Sequence, residues 1–198
     1  MNNQTSTKKS KNLVSAGVFI ALYFVVFMIF GMCCMPIPPL YLCMMSLIAL
    51  VSAPIYMMLL AKAPMHGPIF IAAILPCLFL LLQGNIWIVI IGGVVAGLLA
   101  EVIAGMGNFR DAKLNALSYV VFSLNLICGF LPIWVMRDYF FADTQERGMS
   151  ADFCTKLEAM TPIWVLFAMI IGTVICALLG VFISKKLFKK HFEKAGMV

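Results

Sequence analysis

Six long apolar segments, almost free of charged residues, restrict what this chain can fold into. They cover about residues 13–32, 40–61, 68–83, 86–106, 114–136 and 162–184. A helix of ~20 apolar residues crosses the ~30 Å hydrocarbon core of a bilayer. We therefore expect an all-α integral membrane protein whose residues 1–198 form a single bundle of six transmembrane helices. The third segment is short and contains Pro76, so its helix is expected to be kinked or incomplete.

The composition excludes a water-soluble globular enzyme. Of the 198 residues, 64% are hydrophobic and 11% are charged. Soluble domains are roughly 45–50% apolar and about 25% charged. Six spans of ~20 residues leave only tails and connections, with no room for a soluble catalytic domain. Any activity must therefore reside in the helices themselves or in partner proteins.

The distribution of basic residues predicts the orientation of the bundle, because cytoplasmic loops carry an excess of lysine and arginine. With the N-terminus in the cytoplasm, eleven of the 14 lysines and arginines lie on the inner side. Only Arg137, Arg147 and Lys156 lie outside. We expect a multi-pass protein of a bacterial cytoplasmic membrane, with both termini cytoplasmic and a basic tail at 185–198. The net charge of +6 then reflects topology and not a nucleic-acid surface.

One sizeable loop, residues 138–161, is expected outside the membrane. Within it, Ser150 can cap a short helix whose Phe153, Leu157 and Met160 recur at helical spacing. Such a helix could be a lid over an outward-facing pocket, or an amphipathic linker resting on the membrane surface. The sequence leaves both interpretations open.

The chain lacks the residue constellations of membrane enzymes and pumps. Its only histidines are His66 and His191, both at predicted cytoplasmic ends, so no buried Ser–His dyad or metal cluster can be assembled. Its seven cysteines are an odd number without metal-ligand spacing, and the redox state of Cys33 and Cys34 stays open. A P-loop for ATP hydrolysis is also missing. We expect no enzyme, no metal and no cofactor in this chain, and any uphill transport should draw its energy from another protein.

Tryptophans and polar residues cluster near the predicted outer ends of the last three spans. The tryptophans either form the aromatic belt of a membrane interface or wall a pocket for a small heteroaromatic solute. Asn125, on the polar face of the fifth span, is either a ligand contact or an interhelical hydrogen bond. The candidate substrate-binding residues are Asn85, Trp87, Asn125, Trp134, Arg137, Asp138 and Trp164.

Glu101 is the only acidic residue well inside a predicted span. A charge in hydrocarbon requires a partner or marks a functional site. We expect Glu101 either to pair with Lys62, Arg110 or Lys113, or to act in proton relay or coupling.

Small residues recur at four-residue spacing on three spans, where they let helix backbones approach closely. Spacing alone does not say whether such a stripe faces its own bundle or another subunit. The stripes are Gly17 and Ala21 on the first span, Gly93 and Gly97 on the fourth, and Ala168, Gly172, Cys176, Gly180 and Ser184 on the sixth.

Several stretches of the sequence resemble a known family of transporter subunits. They are GVFIALYFVVF at 17–27, YVVFSL and LPIWVMRDYFFA within 119–142, TPIWVL at 161–166 and KKHFEKAG at 189–196. The chain is similar to the substrate-specificity (S) components of energy-coupling factor (ECF) transporters, and more closely to the subfamily labelled Trep_Strep or MptD-like. The likeness covers essentially the whole chain, and the MRD and KKHFEKAG stretches are its most specific parts.

The resemblance implies a six-helix subunit that captures a vitamin or other micronutrient outside the cell. Such a subunit docks on a transmembrane coupling protein that carries two cytoplasmic ATPases, where the ATP is used. It then topples in the membrane and releases the substrate inward. Small residues on the first helix contact the coupling protein in this family, and Gly17 and Ala21 match that pattern with Gly in place of the first Ala.

Binding sites in this superfamily lie in the outer half of the bundle, under the connecting loops, which favours Trp134, Arg137 and Asp138. A stand-alone carrier or channel is the alternative function, and a membrane-embedded enzyme is a less favoured one. The sequence leaves open which substrate is bound and whether the ATPase module is shared with other S components.

Overall fold

The computed structural model describes the backbone of residues 2–194 and the side chains of residues 10–189. Every regular element in this part of the chain is helical. The α-helices are α1 (Asn2–Cys34), α2 (Pro38–Lys62), α3 (Pro68–Leu82), α4 (Ile88–Met106), α5 (Ala112–Ser123), α6 (Pro132–Val135), α7 (Arg137–Glu146), α8 (Ala151–Ala159) and α9 (Ile163–Lys194). A 3-10 helix, Asn125–Gly129, lies between α5 and α6.

Five stretches among the described residues are long and apolar enough to cross a membrane. They are Ser10–Cys34, Pro38–Lys62, Ile88–Met106, Ala112–Gly129 and Ile163–Lys189. The third apolar segment forms α3, whose 15 residues give a helix of ~22 Å, shorter than the ~30 Å hydrocarbon core. The chain is thus an all-helical, multi-pass membrane protein. The count of six crossings and the cytoplasmic position of both termini stay predictions.

The fifth apolar segment, expected as one helix over 114–136, is broken in the structure. Helix α5 ends at Ser123, a 3-10 helix follows, and α6 has only 4 residues. The Ser123 hydroxyl donates to the Val120 carbonyl at 2.8 Å, and the Leu124 amide donates to the Val121 carbonyl at 3.2 Å, which is the i→i−3 pattern of a 3-10 turn. Pro132, which has no N–H, opens the next short helix. Local hydrogen bonding and proline thus override the apolar pattern here, and the expectation of one continuous helix was wrong.

Helix α2 lies in the bundle between α1 and α9, and glycines mark the closest helix contacts. A Cβ atom at Gly180 of α9 would stand 2.7 Å from the Ala53 Cβ of α2, and one at Gly97 of α4 would stand 2.9 Å from the Ala73 Cβ of α3. Gly93, Gly97 and Gly180 of these two stripes therefore pack inside the bundle, whereas Ala168 is exposed. Gly17 on α1 differs, since nothing lies within 4 Å of the place its Cβ would take.

Helices α7 and α8 form a cap over the end of the bundle where α1 and α3 finish. The Ser150 hydroxyl accepts a hydrogen bond from the Phe153 amide at 3.2 Å, which fixes the start of α8. Phe153 and Leu157 are buried beneath α8, whereas Met160 is exposed. The short capped helix predicted from the sequence is confirmed.

Helix α9 continues through most of the basic segment that was expected as a tail. It runs to Lys194, and the Lys186 ammonium lies 5.8 Å from the centroid of the Phe182 ring one turn earlier. Residues 185–194 therefore extend the last helix, while 195–198 lie outside the described residues.

Candidate functional site

Two adjoining cavities lie at the capped end of the bundle. The bundle chamber, of about 140 Å³, is enclosed by the C-terminal ends of α1 and α3, the start of α2 and the 3-10 helix. The cap chamber, of about 220 Å³, lies between these elements and helices α7 and α8. Both chambers are lined by Met35, Tyr41 and Asn85. In the orientation predicted from the distribution of basic residues, this end of the bundle faces the outside of the cell.

The bundle chamber has aromatic and methionine walls. Phe27 and Phe79 meet edge to face, with ring centroids 6.5 Å apart and an interplanar angle of 85°. Their chamber is also lined by Phe130 and, besides Met35, by four further methionines at positions 28, 32, 44 and 45. Methionine side chains adapt to irregular shapes and contact aromatic rings favourably. The chamber can therefore hold a flat apolar group, and the polar side-chain groups that line it belong to Tyr41, Gln83 and Asn85.

The cap chamber holds a charged pair on one face of α7. Asp143 and Arg147 are four residues apart on this helix, and the Arg147 Nη2 atom lies 2.6 Å from Asp143 Oδ2. The sequence spacing brings them together, because residues i and i+4 are neighbours on a helix surface. The two charges compensate each other, so the cap chamber has no net charge. Its polar groups, which include Thr144, lie among mostly apolar side chains.

Arg147 also connects the cap to the α3–α4 turn. Its guanidinium donates to the Gln83 carbonyl at 2.7 Å and to the Gly84 carbonyl. Gly84 has a φ of +86°, and a Cβ there would stand 3.2 Å from Arg147 Nη1. A side chain at position 84 would strain the turn and displace the guanidinium, so glycine permits this contact.

Tyr41 and Asn85 stand where the two chambers meet. The Tyr41 ring packs against Phe130, with centroids 5.0 Å apart, and against Phe153, with centroids 6.1 Å apart. Within the described part of the chain, neither the Tyr41 hydroxyl nor the side-chain amide of Asn85 has a hydrogen-bond partner. These two side chains offer one hydroxyl and one amide to a bound molecule at the junction.

Of the residues singled out in the sequence, Asn85 lines both chambers, while the tryptophans lie elsewhere. Trp87 and Trp164 are 65% and 64% exposed on the outside of the bundle, as in an interfacial aromatic belt. Trp134 donates from Nε1 to the Pro162 carbonyl at 3.2 Å and joins α6 to the start of α9. None of the three lines either chamber.

Arg137 and Asp138 are also outside the chambers. Arg137 holds the C-terminal end of α8, with Nε 3.3 Å from Glu158 Oε1 and Nη1 donating to the Thr161 carbonyl at 3.1 Å. Its guanidinium carbon lies 5.5 Å from the centroid of the Phe141 ring. Asp138 is exposed. The charged pair beside the cavity is therefore Asp143 with Arg147, which the sequence interpretation passed over although its i, i+4 spacing was visible.

Asn125 is buried in the bundle and binds a neighbouring helix. Its Nδ2 donates to the Ala73 carbonyl of α3 at 3.2 Å, as the interhelical interpretation requires. Asn125 Oδ1 and Ser52 Oγ have no hydrogen-bond partner among the described residues. Both residues line a cavity of about 10 Å³, which is the size of one water molecule. Asn125 is thus separated from both chambers.

Glu101 contacts the N-terminus of α3 instead of the lysines and arginine proposed from the sequence. Its carboxylate accepts hydrogen bonds from the Gly67 amide and, at 2.9 Å, from the Phe70 amide. His66 Nδ1 lies 3.5 Å from Glu101 Oε1. The carboxylate therefore satisfies amide groups that a helix start leaves open, and its charge is favourable beside the helix dipole. The lack of an N-cap side chain on Gly67 explains why the acid comes from another helix.

Gly17 and Ala21 are both exposed on the outer side of α1. Their surroundings include large exposed apolar residues, among them Val18, Val25 and Ile29. This side of α1 is therefore not used in packing the bundle. Among the described residues, no group of three or more His, Cys, Asp or Glu side chains is arranged to hold a metal ion.

These features define a class of protein, a polytopic helical membrane protein with a capped cavity at one end of its bundle. The chain belongs to a family described as "Hypothetical bacterial integral membrane protein (Trep_Strep)", whose profile matches residues 10–194. Comparisons with curated proteins and with solved structures give no match. The family description supplies a membrane location and no activity, so the function must be argued from the site.

Proposed function

We propose that this protein is the substrate-binding subunit of an ATP-driven importer of the ECF type. The observation that carries the proposal is the pair of adjoining chambers beneath the α7–α8 cap. Cavities of ~300–1,000 Å³ with apolar walls and a few convergent polar groups are typical small-molecule sites. A subunit that captures a solute from outside requires such a site at the outer end of its bundle.

The outer side of α1 supports the second part of the proposal, which is docking on a transmembrane coupling protein. Gly17 and Ala21 give that surface a flat, small-residue strip beside apolar side chains. In lipid, helices associate through close backbone packing at such strips. The glycines of α4 and α9 are already used within the bundle, whereas this strip is open.

The environment of the one acid that is buried among the described residues supports an energy source outside this chain. Among the described residues, Glu101 is the only buried side chain with a charge, and its carboxylate is held by the amides of Gly67 and Phe70. Ion-driven carriers use chains of buried ionisable groups. We infer that two ATPases bound to the coupling protein supply the energy, while this chain binds the solute without a cofactor of its own. A stand-alone carrier or channel is the second candidate, and transport without any ATPase would favour it.

The experiment separates docking from binding. In the test variant, leucine replaces both Gly17 and Ala21. Two quantities are measured: the recovery of the ATPases with the tagged protein, and the thermal shift, which is the rise in unfolding midpoint when a small-molecule extract of the source cells is added. We expect the ATPases to be lost and the thermal shift to be kept. Ala168→Leu, on the exposed side of α9, is the matched control and should keep both. Unchanged ATPase recovery in the double variant would contradict the docking assignment.

A further inference from the structure

We propose that the ligand of this site carries no net charge and has two parts, a flat apolar ring system held in the bundle chamber and a polar tail held in the cap chamber. Tyr41 and Asn85 at the junction determine which ring edge is accepted. This inference rests on the proposed function and adds the chemical class of the substrate.

The two-part shape follows from the volumes of the chambers. The bundle chamber has about 140 Å³ and the cap chamber about 220 Å³, and the two share three lining residues. Neither alone reaches the ~300 Å³ at which small-molecule sites begin, whereas together they do. An elongated ligand that occupies both chambers therefore fits better than a compact one.

The bundle chamber excludes charge from the buried end of the ligand. Among the described residues that line it there is no charged side chain, and its walls are aromatic rings and methionines. An ionised group placed there would lose its hydration without gaining a counter-ion, which costs several kcal/mol. A planar, uncharged ring can instead contact the Phe27, Phe79 and Phe130 rings.

The cap chamber excludes net charge from the other end. The Arg147 guanidinium is already bound by Asp143 and by the carbonyls of Gln83 and Gly84. A phosphate or carboxylate would have to break these contacts to obtain a cation. An ammonium group would meet a carboxylate that is already paired. Hydroxyl or amide groups can use the polar surface without disturbing it, so a neutral polar tail fits best.

Tyr41 and Asn85 provide the recognition between the two ends. A hydroxyl and an amide that line the same junction can bind a ring edge that carries both a donor and an acceptor, as in lactams and aminopyrimidines. A site built to hydrogen-bond such an edge rejects analogues that lack it, because its own polar groups would be left unpaired. These two residues should therefore affect affinity without affecting the partner subunits.

The test uses a small-molecule extract of the source cells, separated by ion exchange into neutral, cationic and anionic pools. Each pool is added to the purified protein in mild detergent, and the unfolding midpoint is measured. We expect the neutral pool to raise the midpoint by roughly 5–10 °C when the ligand is at about a hundredfold excess over its Kd. A shift produced by the anionic or cationic pool, or no shift with any pool, would overturn the proposal.

Variants locate the effect in the chambers. Gly31 lines the bundle chamber and nothing lies within 4 Å of its Cβ position, so Gly31→Phe fills the chamber without a clash at Cβ. It should abolish the shift, whereas Gly17→Phe on the open side of the same helix should keep it. Tyr41→Phe and Asn85→Leu should each weaken binding at least about tenfold.

Removing one charge from the cap tests neutrality directly. Asp143→Asn leaves the Arg147 charge without its carboxylate partner, so the anionic pool should now raise the unfolding midpoint. An unchanged preference for the neutral pool in this variant would contradict the charge argument. ATPase recovery is scored separately. If the ATPases are recovered with the wild type and only the anionic pool raises its unfolding midpoint, the charge inference fails and the importer proposal stands. If the neutral pool raises the midpoint and the ATPases are absent, the importer proposal fails and the charge inference stands.

Discussion

Replacing Glu101 separates a structural role for this buried acid from a role in proton coupling. The carboxylate accepts hydrogen bonds from two amides, those of Gly67 and Phe70, at the start of α3. Glu101→Ala leaves both N–H groups without an acceptor, while Glu101→Gln keeps one carbonyl oxygen in place. The two variants therefore differ in hydrogen bonding, although both lack the charge.

The expected magnitudes follow from these contacts. Leaving a buried donor unpaired costs about 1–3 kcal/mol, and the Gly67 and Phe70 contacts are partly buried, so Glu101→Ala should lose about 2–4 kcal/mol of unfolding free energy. Glu101→Gln loses about 0.3–1 kcal/mol of charge–dipole interaction and part of one hydrogen bond, in total about 1–2 kcal/mol. The contact with His66 adds little, because the imidazole is 72% exposed.

The assay is thermal unfolding in mild detergent, combined with uptake in cells that contain the complete transporter. At ~2–4 °C per kcal/mol for a chain of this size, Ala should lower the unfolding midpoint by roughly 5–15 °C and Gln by roughly 2–8 °C. Uptake by the Gln variant should stay near the wild-type level, because no step depends on a proton at this position. Loss of uptake in Glu101→Gln, with a midpoint close to wild type, would refute the structural role and favour proton coupling.

Three further changes have expected outcomes. Gly180→Leu should prevent folding or lower the unfolding midpoint strongly, because its side chain would overlap Ala53 and the Leu50 carbonyl, whereas Gly17→Leu should leave the midpoint within about 2 °C. Arg147→Gln should increase protease cleavage within the cap and at the α3–α4 turn, because two backbone carbonyls of this turn and Asp143 lose their partner. Arg137→Gln is the control and should not increase cleavage at the α3–α4 turn. Ser150→Ala should cost ~1 kcal/mol by removing the α8 cap, seen as faster amide hydrogen exchange at Phe153.

Much of the architecture could be predicted because it depends on composition and local patterns. Long apolar runs identify the membrane helices, and Ser150 with its helical spacing identifies α8. The break after Ser123 could not be predicted, because the change from α-helical to 3-10 hydrogen bonding falls within an otherwise apolar run. The short α3, by contrast, was expected from the length of its apolar segment and from Pro76, and it has 15 residues.

The site was harder to predict because it depends on which helix ends meet. Tyr41 is a single aromatic residue near the start of α2, and nothing local to it indicates that Asn85 and Phe153 lie beside it. Arg137 and Asp138 attract attention as neighbours in sequence, yet consecutive helix residues point in different directions. Glu101 was expected either to pair with a cationic side chain or to act in proton relay or coupling. In the structure its carboxylate accepts hydrogen bonds from backbone amides, which no pattern of charged residues can reveal.

Recovery of partner proteins tests the central claim most directly. The tagged protein is extracted from its native membrane in mild detergent and the bound proteins are identified by mass spectrometry, with the Gly17 and Ala21 double leucine variant as control. We predict a coupling protein and two P-loop ATPases with the wild type, and their loss from the control. Wild-type protein that is repeatedly recovered alone, under conditions that preserve a known transporter complex, would contradict the importer assignment.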